Sequence, residues 1–180
     1  MTMIETERLI IRDVEEKDAE GLFRLLANPR VNCFMDGKVN TIDEVYKHIQ
    51  SSWEENELAV CLSDCDRFIG TLFGHKEEPD TYSICWNFLE EYSGKGYAYE
   101  AASAYFDYLF YEMSIRRIYA YVEDDNLPSQ KLCKRLGMRQ EGCFMEFISF
   151  VNNPDGTPKY ENTMQFAILK KEWHEKHVRG

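Results

Sequence analysis

The chain has 180 residues and a formal net charge of −11, a length that suits one domain with one sizeable core. That acidic balance, with no Lys/Arg run denser than Ile115-Arg116-Arg117-Ile118, speaks against a nucleic-acid partner. No apolar run approaches the roughly 20 residues that cross a bilayer, and the start from Met1 to Arg8 lacks the apolar middle of a secretory signal, so no membrane partner and a cytoplasmic location are expected.

Residues 8–13 set Leu9 and Ile11 against Arg8, Ile10 and Arg12, the alternation of a first strand. Ala19, Leu22, Phe23, Leu25 and Leu26 follow at helical spacing over 18–27. Asn28-Pro29 ends that helix, because the residue before proline avoids helical geometry. Asp36-Gly37 is a turn, and Thr41 with Glu44 three residues on reads as a capping box opening a helix to about Trp53. Strands are expected at 58–62 and 68–74, joined around Ser63-Asp64-Cys65-Asp66, and at 82–89, with Ile84, Trp86 and Phe88 on one face.

Ala98, Ala101, Ala102, Tyr105, Phe106, Leu109 and Phe110 mark a long helix, and Ile118, Ala120 and Val122 mark a strand over 116–122. Residues 126–136 read as a short helix, with Pro128 in its first turn and Gly137 past its end. Two late strands, 144–151 and 164–169, flank the turn 152–158. Strands interleaved with helices in this order imply a mixed α/β sheet of about seven strands in one domain, 1–180.

The six cysteines, Cys33, Cys61, Cys65, Cys85, Cys133 and Cys143, are expected as free thiols. Cys61 and Cys65 alone suggest metal weakly. No second Cys or His pair stands at a matching spacing, and His174 and His177 lie in a charged tail, so no metal is expected.

The richest stretch is Tyr92-Ser93-Gly94-Lys95-Gly96-Tyr97-Ala98-Tyr99-Glu100-Ala101. Its glycines fall where a strand hands over to a helix, a junction that points backbone N–H groups and a helix dipole at one spot. The guest suited to it is a phosphate or pyrophosphate; the plainer reading is a glycine turn before a core helix. A dinucleotide fingerprint needs a third glycine where Tyr99 stands, and no Gly-x-x-x-x-Gly-Lys-Ser/Thr string occurs.

Beyond these residues, ordered pieces along nearly the whole chain carry a resemblance. They are 5–12 (ETERLIIR), Asp18-Ala19-Glu20 with Leu26-Ala27-Asn28-Pro29, Ile69-Gly70, Gly94-Lys95-Gly96-Tyr97-Ala98 with Glu100-Ala101, and Arg117-Ile118. Asn126 and Ser129, Leu136-Gly137-Met138, Glu141-Gly142, Tyr160, Phe166-Ala167-Ile168-Leu169 and Glu172-Trp173 complete them. In order and spacing the chain resembles the GNAT acetyltransferase superfamily, and most closely its ribosomal-protein N-terminal acetyltransferase branch.

The resemblance implies a mixed, largely antiparallel twisted sheet splayed between its fourth and fifth strands, with helices on both faces. It implies acetyl-coenzyme A as cosubstrate, its pyrophosphate on the N–H groups of Gly94, Lys95, Gly96, Tyr97 and Ala98. The pantetheine arm would pair with the strand ending at Phe88 and Leu89, whose backbone N–H groups could also face an oxyanion. Asn126 would touch the cofactor arm while also able to cap its helix. Ser129 would protonate the leaving thiolate beside the cofactor. Other members use a tyrosine where Cys133 stands here, and relatives in the branch carry a glutamate where Ser83 stands.

Glu146, Asp36 or a water chain could take the place of the base, or the amine could arrive neutral and leave the enzyme to supply mainly proximity. Residues 30–40 and 152–159 would shape the acceptor site, with Phe34, Met35, Phe144 and Phe147 as candidate lining. The implied activity is direct transfer of acetyl to a primary amine of a small molecule or peptide, by a monomer or homodimer. The alternative is a coenzyme A-binding regulatory module with lost catalysis, favoured by the absent glutamate at 83 and tyrosine at 133.

Overall fold

A computed structural model describes residues 3–52 and 56–178. Eight strands form one sheet in the order β1 (Met3–Glu5), β2 (Leu9–Asp13), β3 (Leu58–Leu62), β4 (Phe68–Glu77), β5 (Thr81–Phe88), β6 (Arg117–Glu123), β8 (Pro158–Leu169) and β7 (Arg139–Asn152). All neighbours are antiparallel except β5 and β6, which run parallel. The helices are α1 (Ala19–Ala27), α2 (Ile42–Ser52), α3 (Tyr97–Asp107), α4 (Leu127–Leu136) and α5 (Lys170–Val178).

Alternation along the strands separates two cores. Leu58 and Val60 join Leu9 and Ile11 of β2 and Ile118, Ala120 and Val122 of β6 under α3, α4 and α5. Ala59 and Cys61 face the other way, against Leu22 and Leu25 of α1 and Val45 and Ile49 of α2. Helices therefore cover both faces, as the resemblance implies. Trp173 of α5 is fully buried against Phe106 and Phe110, with its indole N–H on Asp107 at 2.7 Å. The start of α2 is held as the sequence reads: Thr41 Oγ1 accepts from Glu44 N–H at 3.3 Å. The Glu44 carboxylate bonds the N–H of Asn40, one residue before the expected partner. Trp53 lies outside the described residues.

The differences from expectation have local causes. The sheet has eight strands rather than about seven, because β1 spans only three residues, too few to display an alternation. β4 continues past Gly74 to Glu77. β7 begins at Arg139 rather than 144, and its register shifts three times against β8; each bulge resets the side-chain period and hides the strand. β8 begins at Pro158, ahead of the apolar run at 164–169. The helix after the glycines ends in a wider π turn, Tyr108–Glu112.

Candidate active site

The parallel junction of β5 and β6 is where the sheet opens. Their register covers Thr81–Arg117, Tyr82–Ile118 and Ser83–Tyr119 and then stops, although β5 runs on to Phe88 and β6 to Glu123. This is the expected splay, which falls between the fourth and fifth strands when β1 is not counted. Leu89 N–H donates to Ile69 O at 3.0 Å, and Gly70 stands opposite Phe88. Gly70 and Phe88 are thus a pair that exchanges no hydrogen bonds. The N–H and C=O of Phe88, and of Trp86 two residues earlier, point away from β4 into the opening. Of the two amides expected to face an oxyanion, Leu89's is committed to the sheet and Phe88's faces the gap.

Past Leu89, a 3₁₀ turn, Glu90–Tyr92, leads to the glycines. Gly94 has φ of +74° and Gly96 of +84°, a region costly for any residue with a Cβ. A Cβ on Gly94 would meet nothing within 4 Å, so the space over the loop is open. Gly96 is the N-cap of α3 and no side chain caps the helix there, leaving the N–H groups of Tyr97 and Ala98 to an outside acceptor. Lys95 is exposed at the loop's tip.

Arg8 braces this loop from behind. Its Nη1 donates to Lys95 O at 3.1 Å, its Nε to Glu100 Oε2 at 2.7 Å and its backbone N–H to Glu100 Oε1 at 3.0 Å. The guanidinium also lies 4.5 Å from the centre of the Tyr97 ring. Thr6 Oγ1 donates to the same carboxylate at 2.6 Å. Burial alone would raise the Glu100 carboxyl, but the bonds from Thr6 and Arg8 outweigh it and hold it below the ordinary glutamate value. The sequence reading did not assign Arg8 to the site; it stands 87 residues before Lys95, and only the fold joins them.

On the α4 side, Asn126 Oδ1 caps the helix by accepting Ser129 N–H at 3.3 Å, which leaves the amide nitrogen as the end a ligand can use. Trp86 Nε1–H donates to Ser129 Oγ at 3.2 Å. That bond uses one lone pair of the oxygen and leaves the hydroxyl's own proton free to be donated. Cys133, one turn on, is buried in the core with its thiol pushed up to about 12 by burial; it packs, and is a poor proton donor.

The other face of the opening carries Phe73 of β4, Cys85 of β5, Tyr119, Tyr121 and Glu123 of β6, and Thr163 of β8, by the alternation and register of those strands. A short turn, Asn32–Phe34, lies across it. Phe34 meets Phe73 edge-on with ring centres 6.1 Å apart, Cys33 N–H donates to Glu123 Oε1 at 3.2 Å, and the Asn32 amide donates to Glu161 Oε1. Burial pushes the Cys85 thiol up to about 11, with Glu123 adding to the effect. The Cys33 thiol is raised further, by burial and then by its bond to Glu123. Tyr119 donates to Glu77 Oε1 at 2.5 Å, and burial with that bond pushes its hydroxyl up to about 12 while Ser83 pulls the other way. Ser83 thus shares a hydrogen-bonded group with Glu77 through Tyr119.

Phe144 and Phe147 come together with ring centres 5.1 Å apart, and both meet Tyr121. Met35 is half-buried at the end of the turn. Glu146 sits in the bulge between Phe144 and Ile148, with φ of +48° and its N–H on Asn162 Oδ1 at 2.9 Å. It and Asp36 are exposed, whereas Glu123 is buried at 6% exposure. Glu123, like Arg8, is not among the residues the sequence reading assigned to the site. A cavity of about 290 Å³ opens where α1 meets the end of β5, lined by Arg30, Asn87 and Phe88 among others. A larger, open depression of about 650 Å³ by Arg116 and His174 lies at the far end of β6, away from the opening.

A splayed parallel pair, a glycine turn past the end of one strand and a hydroxyl across the gap thus lie together. The Acetyltransferase (GNAT) domain family matches residues 8–139. The chain belongs to the GNAT acetyltransferase family. It is 34% identical over 174 residues to the uncharacterized N-acetyltransferase YnaD of Bacillus subtilis, covering 95% of this chain and 99% of that one. A crystal structure of a GNAT-family acetyltransferase from Bacillus anthracis superposes with a TM-score of 0.85 at 31% identity, covering 94% of this chain and 99% of the other. A structure described as a putative ribosomal-protein-serine acetyltransferase from Vibrio cholerae superposes at TM-score 0.73 over 93% of this chain and 97% of its own, but at 20% identity, a likeness of fold alone.

As a GNAT member the protein is an acyltransferase of the N-acetyltransferase type. GNAT enzymes generally use acetyl-coenzyme A. Among the described residues, no three His, Cys, Asp or Glu side chains gather as a metal site, and no helix is long and apolar enough to cross a membrane.

Proposed function

We propose that this enzyme transfers acetyl from acetyl-coenzyme A to a primary amine within a ternary complex at the opening between β5 and β6. The observation that carries the reading is the Trp86–Ser129 bond across the gap, beside the unpaired edge of β5. The cosubstrate supplies an activated acetyl carbon and a thiolate leaving group. Gly94, Lys95, Gly96, Tyr97 and Ala98 receive its pyrophosphate on backbone N–H groups, and the backbone of Trp86 and Phe88 pairs with the pantetheine arm as an added strand would. Leu89 holds the end of that edge in place through Ile69, and the Asn126 amide reaches the arm from α4.

Nitrogen attacks the acetyl carbon as the carbon–sulfur bond breaks. Phe88 N–H faces the oxygen that gains charge, and Ser129 gives its proton to sulfur. The amine's surplus proton needs a carboxylate on the acceptor face. Glu146 is exposed at the rim and serves only an amine still entering. Glu123, buried beside Cys85, is the group we assign to it.

A module that only binds coenzyme A has no use for a hydroxyl oriented across the gap, and Glu123 with Glu77 offsets the missing glutamate at 83. The narrower ribosomal-protein branch is supported by sequence pieces and by one fold-level neighbour, and a protein α-amine is one acceptor to try. Free thiol release from acetyl-coenzyme A, followed spectroscopically across a panel of primary amines, tests the reading. Amine-dependent release is expected; binding of coenzyme A with no release for any amine returns the regulatory module.

A further inference from the structure

Behind Glu123 the acceptor face holds polar atoms whose partners are missing from the fold. Glu161 and Thr163 are 8% and 5% exposed. Thr163 stands directly opposite Glu123 across the β6–β8 pair, and Glu161 lies two residues along on the same face. Glu161 Oε2 and Thr163 Oγ1 are both buried without a hydrogen-bond partner. A buried acceptor left unpaired is costly, so three oxygen-bearing groups on one face of the β6–β8 pair with two unmet acceptors imply a donor that arrives from outside.

The neighbours say what kind of donor. Glu123 and Glu161 receive hydrogen bonds from the Cys33 N–H and the Asn32 amide, both neutral. Among the described residues no Lys, Arg or His pairs with Glu123, and Glu161 has one cation near it, the half-exposed Lys159 at 3.6 Å. Two buried carboxylates with one loosely held cation leave room for positive charge. At the mouth stand Tyr121, Phe144 and Phe147, 44%, 39% and 50% exposed and in mutual ring contact. Such rings suit methylene groups and the face-on approach of an ammonium.

We propose that Glu123, Glu161 and Thr163 form the acceptor subsite, and that the acceptor is an aliphatic primary amine with a second cationic nitrogen. One nitrogen lies at Glu123, where it reacts. The other donates to Glu161 Oε2 and Thr163 Oγ1, with the connecting methylenes against the aromatic rings. This rests on the acetyltransferase reading above and adds the acceptor class to it.

The test compares 1,4-diaminobutane, butylamine and a short peptide with a free N-terminus as acceptors for wild type, Glu161→Gln and Thr163→Val. Coenzyme A-induced thermal shifts are measured on each protein. Wild type is expected to prefer the diamine over butylamine by about 10–100-fold in kcat/KM, the size of a charge-assisted hydrogen bond. Glu161→Gln should reduce that preference to a few-fold through KM while keeping the coenzyme A shift. Thr163→Val, nearly isosteric, should reduce it by a smaller factor and guards against a folding defect in the first variant. Equal use of diamine and butylamine, preference for the peptide, or an unchanged preference in a folded Glu161→Gln protein overturns the subsite. So does a wild type that shifts with coenzyme A and acetylates neither amine. No thermal shift with coenzyme A overturns the acetyltransferase reading itself.

Discussion

On the α3 and α4 side of the opening, the groups assigned to the cosubstrate come from three short runs, 86–89, 94–98 and 126–129. On the α1 and α2 side, the polar groups come from separate segments: Asn32 and Cys33 on a turn, Cys85 on β5, Glu123 on β6, and Glu161 and Thr163 on β8. The first side uses neutral backbone donors and a neutral hydroxyl; the second uses carboxylates and aromatic rings. A local run of chain can be fixed by φ angles and helix ends, so it serves a cosubstrate common to a whole family. A surface gathered from distant strands can change residue by residue, so it serves an acceptor that differs between members.

The contrast can be broken first at Glu123. Glu123→Gln keeps the shape and removes the proton acceptor, so turnover should fall by about 10²–10⁴-fold while coenzyme A still raises the melting temperature by mass action. Loss of the thermal shift along with turnover would mean that the two sides are not separable. Next is Ser129→Ala, expected to lower turnover by about 10²-fold, the low end for a general acid because the thiolate leaves readily. Trp86→Phe should give a smaller loss of the same kind, since it removes the donor to Ser129 Oγ and leaves the hydroxyl. If Ser129 serves only to pack α4, the alanine variant would instead lose stability and keep its rate.

The glycine loop offers a third test. For Gly96→Val, a Cβ at this position, with φ of +84°, meets no close backbone, its nearest neighbour being Arg8 Nη2 at 3.4 Å. The cost is therefore backbone strain of about 1–3 kcal/mol. The loop escapes it by leaving its cradle shape, which should weaken coenzyme A binding by about 10–100-fold with the fold retained. Unchanged affinity, measured by calorimetry, would place the pyrophosphate elsewhere.

The smallest effect is expected at Glu100. Its folded carboxyl lies below the ordinary 4.5, so its contribution is present above about pH 4.5 and is lost as pH falls through the lowered folded value. Glu100→Gln should cost about 1 kcal/mol near pH 7, given the partly exposed Arg8 partner. The gap in melting temperature between the two proteins should close in acid; a gap constant with pH would show that charge on Glu100 is not what holds the loop.

What the sequence makes legible follows the same division. Gly94 and Gly96 lie close together in the chain, as do Asn126 and Ser129, and the geometry of each pair is set within a turn or two. The element order is legible because β5 and β6 alternate, β3 is a short apolar run bounded by polar residues, and the helices keep their own period. Glu123 is hidden because its partners are distant in the chain: it stands opposite Thr163, 40 residues on, and accepts from the Cys33 N–H, 90 residues before. Glu146 enters as a stand-in for the glutamate absent at 83, and the bulge between Phe144 and Ile148 leaves it exposed. Arg8 reads as the polar half of a strand pattern, and its hold on the glycine loop depends on β2 lying beside the start of α3.

The most direct measurement follows free thiol and acetylated amine together, for wild type and Ser129→Ala, with the coenzyme A thermal shift recorded for both. The account predicts amine-dependent thiol release matched one-to-one by acetylated product in wild type, and an unchanged thermal shift with release slowed about 100-fold in the variant. Coenzyme A binding without amine-dependent release in wild type, or full release by the folded variant, would contradict it.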